Sequence, residues 1–204
     1  MRIVVLNGSP KGPQSVTMHY VQYIEKRFPQ HRFTYIDVSE KIQRLEKNEQ
    51  AFNEVIEVIK DADGILWAFP LFYFLVPAQY KRFIELIRER GAEEAFRDKY
   101  TAVLTTSIHI LDMMAHHYMN GICDDLHMKY MGSFSASMYD LLKKEQRKQL
   151  FLFAKYFLLS IRKKSPAPRN YAPVVDHPYE YRPALAKDFL PPRGKRILIV
   201  SDAK

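Results

Sequence analysis

The chain has 204 residues, 47% of them hydrophobic, and a formal charge of +8. That length holds one full domain plus an extension, no apolar run approaches the roughly 18 residues of a membrane span, and the chain enters an apolar strand pattern without a signal peptide. The positive excess lies wholly in the last third, since residues 1–138 carry 16 Lys+Arg against 17 Asp+Glu and residues 139–204 carry 15 against 6. A nucleic-acid interface would have to rest on that third, which contains no nucleic-acid motif.

The opening stretch MRIVVLNGSPKGPQSVT organises the rest of the chain. Residues 3–6 form an apolar strand-forming run that breaks into a loop rich in Gly, Ser and Pro, and helical periodicity starts near Thr17. A loop in that position sits at the carboxyl end of its strand, where open α/β sheets bind ligands. Ser9, Ser15 and Thr17 supply hydroxyls, Lys11 a cation and the helix start its backbone N–H groups, a combination suited to phosphate. The same residues would serve an ordinary turn whose Ser and Thr cap a helix. Neither G-x-x-x-x-G-K-[ST] nor G-x-G-x-x-G is present, which disfavours ATP and a Rossmann-bound NAD and leaves a single terminal phosphate as the expected group.

A helix is expected over 17–28, with Thr17, Val21, Ile24 and Phe28 on one face and Pro29 ending it. Residues 32–38 alternate as a second strand. A helix over 48–61 turns Phe52, Val55, Ile56 and Ile59 inward, and a third strand over 65–69 is apolar on both faces, as in a sheet covered on both sides. The aromatic loop PLFYFLVP, 70–77, follows at that strand's carboxyl end, and its exposure is costly unless something flat and apolar covers it. Next come a helix over 77–90 with Tyr80, Phe83, Ile84 and Ile87 inward, and a fourth strand over 100–106 that ends in Thr105, Thr106 and Ser107 before His109. A helix over 111–126, carrying Cys123 as a small buried residue, and a fifth strand over 128–134 complete the pattern. It predicts a doubly wound, flavodoxin-like α/β fold with strand order 2-1-3-4-5. Asp112 and His116 are four apart on the expected helix, but no third ligand has a defined spacing, so a solvated helix face is expected there and no metal. A lone cysteine excludes an internal disulfide and a cysteine-built cluster and points to a reducing, cytoplasmic compartment.

Residues 141–164 read as a long helix with Leu142, Leu150, Phe153, Phe157 and Ile161 apolar. Phe151, Leu158 and Leu159 add more apolar side than one sheet face needs, which suggests a partner surface, while Lys143, Lys144, Arg147 and Lys148 fit a solvated face. Residues 165–194 are rich in Pro and Tyr without periodicity, and KRILIVS at 195–201 reads as a strand. The expected organisation is therefore a sheet domain over 1–164 and an extended arm over 165–204. Such an arm cannot bury a core alone, yet it carries Tyr171, Val174, Val175, Tyr179, Tyr181, Phe189 and Leu190. It is expected to lie across a second subunit, unless 195–201 begins a further domain.

Three loops, LNGSPKGPQSVT at 6–17, WAFPLFYFLVPAQYKRFIELI at 67–87 and TTSIH at 105–109, together resemble the flavodoxin-like NAD(P)H-dependent FMN reductase and quinone reductase family, over roughly residues 1–160. What the resemblance implies is a bound FMN. On it, Ser9, Lys11, Ser15, Val16 and Thr17 hold the phosphate; Pro70, Leu71, Phe72, Tyr73 and Phe74 hold the isoalloxazine; and Thr105, Thr106, Ser107 and His109 close the other side of the ring. It also implies NAD(P)H as co-substrate and favours a homodimer with flavin sites near the subunit interface. Related iron-sulfur flavoproteins carry a cysteine cluster between the second strand and second helix, but residues 36–52 hold no cysteine. Tyr73 and His109 are the candidates for stabilising negative charge on the reduced ring, with loop capping as the alternative for His109. Two functions fit: an FMN-dependent NAD(P)H oxidoreductase acting on a quinone, free flavin or similar small-molecule acceptor, or an electron carrier whose basic last third docks an acidic redox partner. Neither nucleic acid nor membrane is an expected partner.

Overall fold

Five runs, the first three rich in Ile, Val and aromatic residues, pair in parallel as β1 (Arg2–Asn7), β2 (Arg32–Asp37), β3 (Gly64–Pro70), β4 (Tyr100–Ser107) and β5 (Lys129–Ser137), in the order β2-β1-β3-β4-β5. The computed structural model describes residues 1–172, so the strand expected at 195–201 and the arm's apolar residues from Val174 to Leu190 lie outside the described residues. The expected fold class and strand order hold: this is a flavodoxin-like doubly wound sheet. Its connection reverses direction between β1 and β3, which opens a crevice at their carboxyl ends.

Side-chain alternation along the strands divides the core in two. Val4 and Leu6 of β1, with Ile65, Trp67 and Phe69 of β3, face one side. There they meet α2 (Ile42–Lys47), α3 (Glu49–Lys60), α4 (Ala78–Glu89) and α5 (Asp112–Asp125). Ile3, Val5, Leu66 and Ala68 face the other side, covered by α1 (Val16–Arg27) and α6 (Lys144–Lys163). β3 is buried at every position from Gly64 to Phe69, as a central parallel strand must be.

Beyond shifts of a residue or so at element ends, the structure departs from the sequence expectation in these places. The helix α2 has no counterpart in it, because six residues with only Ile42 and Leu45 buried are too few to show a period. Asn48 is not the first helical residue of α3 but its cap, its side chain accepting from Ala51 N at 3.0 Å. β5 continues three residues past the expected end, to Ser137, which pairs with Ser107. The last helix begins only at Lys144, after a 3-10 turn over Asp140–Leu142 that leaves Leu142 77% exposed instead of inward.

The apolar surplus of α6 is largely spent inside the chain. Phe151 stacks on Phe28 beyond the end of α1 with ring centres 5.1 Å apart, Phe153 packs on Phe134 of β5 at 5.5 Å, and Leu158 is buried. Leu152 and Tyr156 stay exposed. The helix closes at Lys164 in the left-handed region (φ 52). The first residues of the arm are then fastened to the same chain: Tyr100 Oη donates to Ser165 O (2.9 Å), Arg169 binds Asp124 O and Asp125 Oδ1 (both 2.7 Å), and the amides of Asn170 and Tyr171 donate to Asp124 Oδ2 (2.8 and 2.9 Å). No helix among the described residues is long and apolar enough to cross a membrane.

Candidate functional site

The loop after β1 is shaped by what lies under it. A Cβ on Gly8 would stand 2.6 Å from Phe69 Cβ and 2.8 Å from Tyr80 Cγ, so only glycine lets the backbone pass this close to β3 and α4. Gly8 N donates to Ala68 O at 2.8 Å, and Tyr80 Oη donates to Leu6 O at 2.7 Å, fixing the strand end from below. Asn7 then braces the turn on both sides, donating to Asp37 Oδ1 at 2.7 Å and accepting from Ser9 N at 3.0 Å. Gly12 takes φ +58, and a 3-10 turn over Gly12–Gln14 leads into α1, which Ser15 caps by accepting from Met18 N at 3.3 Å. The first-turn N–H groups of α1 are thereby aimed at the crevice.

This loop forms one wall of a cleft of about 360 Å3 lined by Ser9, Pro10, Lys11, Ser15, Val16, Thr17, Pro70, Phe72, Thr106, Ser107, Ile108 and Met138. All five residues expected at a phosphate are here, joined by Pro70 and Phe72 from the second loop and Thr106 and Ser107 from the third. At the floor, Thr17 Oγ1 and Thr106 Oγ1 are 2.6 Å apart and buried, tying the helix start to β4. Pro10, Ile108 and Met138 are additions to the expected set; Met138 directly follows β5, and the SASM stretch it ends carries no ligand signature.

The remaining expected residues stand elsewhere. Leu71 packs partly against the core and donates its N–H to Thr106 O at 2.9 Å. Phe72 and Leu75 exchange backbone bonds of 3.0 and 3.1 Å, so Tyr73 (φ 46) and Phe74 (φ 71) form the centre of a two-residue hairpin with the dihedral signs of a type I′ turn. Two aromatics replace the usual Asn-Gly, at roughly 1–2 kcal/mol for each left-handed residue. The turn holds Phe72 to the cleft and leaves Tyr73 93% exposed at its rim. Thr105 alternates to the other face of β4, fully buried, with its hydroxyl 2.8 Å from His116 Nε2.

His109 does not line the cleft either. It sits at φ +61 on the loop between β4 and α5, its N–H donating to Ser107 Oγ at 2.8 Å. Its ring bridges two carboxylates, with Nδ1 3.4 Å from Asp112 Oδ2 and Nε2 3.2 Å from Asp140 Oδ2. Asp112 Oδ2 also accepts from Ser107 Oγ at 2.7 Å and from Ser135 Oγ. Asp140 is buried and accepts from Ser137 N (2.8 Å) and Lys143 Nζ (2.9 Å). The expected solvated face around Asp112 and His116 is thus corrected: both are partly buried and hydrogen-bonded, because the end of β4 brings Ser107 and Thr105, and β5 brings Ser135, against the start of α5. The described residues contain no group of His, Cys, Asp or Glu able to hold a metal ion.

Burial raises the Asp112 carboxyl, but the bonds from Ser135, Ser107 and His109 outweigh it and hold its pKa below the usual value. Asp140 behaves alike: burial raises it, and Ser137 N, Lys143 and His109 together bring it below the usual value. His116 is lowered chiefly by burial. In all three the unfolded chain binds protons more readily than the folded one, so their stabilisation is lost as pH falls. The melting temperature is expected to decline first below about pH 6.5, as His116 resists protonation, and again below about pH 4, through the depressed carboxylates. A pH series by circular dichroism checks this. Asp112→Asn should flatten the lower component, and an unchanged profile would refute the assignment.

The donors fit a phosphate monoester, with a glycine-cradled loop, three hydroxyls, one lysine and a helix start, and Pro70, Phe72 and Ile108 add apolar surface for a flat ring. Comparison with known proteins agrees. The profile of the NADPH-dependent FMN reductase family matches residues 1–140, and the chain belongs to that family. FMN and NAD(P)H are accordingly its cofactor and co-substrate, and the chain is an FMN-dependent NAD(P)H oxidoreductase. Among solved structures, the apo form of the NADH:FMN oxidoreductase EMOB is similar at 18% identity and TM-score 0.64, covering 78% of this chain and 89% of its own. An oxidoreductase from Corynebacterium diphtheriae is similar at 14% identity and TM-score 0.61, covering 81% and 99%. An FMN-dependent NADH-azoreductase from Bacillus anthracis, solved with FMN, is similar at 15% identity and TM-score 0.51, covering 81% and 99%. No curated protein sequence matches.

Proposed function

We propose that this oxidoreductase reduces a small planar acceptor, a quinone or a free flavin, in the same cleft that receives NAD(P)H. The carrying observation is that residues of the phosphate loop, Pro70 and Phe72, and Thr106 and Ser107 all line one cleft. In this reading Lys11, Ser9, Ser15 and Thr17 hold the phosphate with the backbone around Val16. Pro70, Leu71 and Phe72 lie along one edge of the ring, with Tyr73 and Phe74 at the rim. Thr106 and Ser107 close the other edge, with Thr105 supporting them from the far face of β4. FMN, once bound, supplies hydride acceptance and release. The chain's own work is to fix the ring, exclude water and offer polar groups where negative charge gathers. Tyr73 is the exposed side chain free to fold over the cleft, whereas His109, held between carboxylates, acts from outside it.

Large exposed apolar side chains ring the mouth, among them Phe72, Tyr73, Ile108, Ile110, Met138 and Tyr139. A rim of this kind suits contact with another protein surface, and we assign it to a second copy of the chain, for which light scattering is the check. Cys123, fully buried and unpaired, fits a reducing cytoplasm.

The sequence has no second dinucleotide loop, so NAD(P)H and acceptor are expected to take turns in the cleft. The FMN-loaded protein should give parallel double-reciprocal lines with NADPH or NADH against a quinone. Intersecting lines would show both substrates bound together and sink the shared-cleft reading. Absence of NAD(P)H oxidation with every quinone and flavin tried would overturn the proposed acceptor class.

A further inference from the structure

Two loops that flank the cleft are tied to each other by side chains that do not line it. One is the loop after β4, which contributes Ser107 and Ile108 to the lining; the other is the loop after β5, which contributes Met138. The second is anchored on both sides of Met138. Tyr20 Oη donates to Ser137 O at 2.5 Å and accepts from Leu141 N at 3.1 Å, and Asp140 Oδ2 accepts from Ser137 N at 2.8 Å. The first has no such backing of its own: Ile108 is 80% exposed, and both His109 (φ 61) and Leu111 (φ 53) adopt left-handed backbone. Two non-glycine residues held in left-handed backbone so close together persist only where surrounding groups over-determine them. Those groups are Asp112 and Ser135, which grip Ser107 and His109 from behind, and Asp140, 3.2 Å from His109 Nε2.

We propose that Asp112, Ser135 and Asp140 are positioning residues that act through His109 to set the distance between Ile108 and Met138, and so determine how large an acceptor the cleft admits. The inference deepens the proposed function and rests on its reading that the acceptor enters this cleft. The asymmetry of Asp112 supports it. Three donors converge on Oδ2, while Oδ1 is buried without a partner among the described residues, an arrangement costly for stability yet well suited to gathering Ser107, His109 and Ser135 at one point. In this scheme His109 is a strut between loops, with no contact to the reacting atoms required.

Two variants test it, Asp140→Asn, which keeps one oxygen before Ser137 N and His109 Nε2 but removes the charge that holds the imidazole, and Ser135→Ala, which removes a hydroxyl shared by Asp112 and His109. Lys143→Ala serves as a control, since it loosens Asp140 on the side away from the histidine. The first readout needs no cofactor: amide hydrogen exchange of residues 107–111 in the flavin-free protein. The second is the dissociation constant of a one-ring and a three-ring quinone for the oxidised FMN-loaded protein, followed through the flavin spectrum. Both test variants should speed exchange in 107–111. Both should also shift the ratio of the two dissociation constants by about tenfold, the worth of roughly one methylene of pocket width. The Lys143→Ala ratio should stay at wild type. Unchanged exchange in both variants, or an unchanged ratio despite faster exchange, overturns the proposal. So does a ratio that moves equally in Lys143→Ala, which would mark general loosening. Quinone binding is read without NAD(P)H, so a wild-type protein that binds quinones but fails to oxidise NAD(P)H refutes the proposed turnover alone.

Discussion

Gly8→Ala is expected to cost the protein most of its hold on FMN, although Gly8 offers no side chain to any ligand. The added methyl would fall 2.6 Å from Phe69 Cβ and 2.8 Å from Tyr80 Cγ. Phe69 Cβ is fixed to a fully buried strand, and Tyr80 is locked by its bond to Leu6 O, so neither gives way as the end of a flexible side chain would. The loop must lift instead. Overpacking of this kind costs about 1–3 kcal/mol in stability. Lifting also misaims Ser9 and the helix-start amides; losing two charge-assisted bonds at about 1.5–3 kcal/mol each lowers FMN affinity at least about 100-fold. Thermal melting and FMN titration of the same preparation check both effects. Wild-type affinity with lowered stability would show that the loop supports the fold without holding the phosphate.

Lys11→Ala and Thr17→Ala should each weaken FMN by about 1.5–3 kcal/mol, roughly 10- to 150-fold, but by different routes. Lys11 is exposed on the cleft wall, so its contribution is ionic and should shrink as salt is raised. Thr17 is buried against Thr106 at 2.6 Å, so its removal also strands a hydroxyl, and the apo protein should lose about 1–3 kcal/mol as well. Titration at two salt concentrations, with a melt of each apo variant, separates them. If both variants bind FMN like wild type, the phosphate assignment is wrong.

The elements readable in the sequence were those whose burial is written locally. β1 and β3 are apolar because both faces are covered, and α4 repeats its apolar residues at helical spacing, so composition and period revealed them. The phosphate loop was readable because its chemistry is carried by contiguous residues. The end of β5 was not, since Ser133, Ser135 and Ser137 look like a polar loop until Asp112 and Tyr20 arrive as partners. Thr105 and Thr106 are likewise identical in composition, and strand parity alone sends Thr106 to the cleft and Thr105 to His116. Around His109, Ser107 and Asp112 are near neighbours in the chain, but Ser135 and Asp140 arrive from more than twenty residues away, and that half of the convergence no local spacing encodes.

The order in which the chain is made adds a last consequence. The family profile ends at residue 140, yet the core beneath α1 is sealed by Leu150, Ala154, Phe157 and Leu158 of α6. During synthesis the phosphate loop and α1 emerge before α6, so the part of their core that α6 supplies is missing until residues some 130 positions later have left the ribosome. Until then the side of α1 that packs on α6 stands open to solvent and to other chains. Flavin capture should therefore be a late event in biogenesis. A nascent chain halted before α6 would be a client for chaperones, and the cofactor loop would wait on a helix some 130 residues further along to become useful.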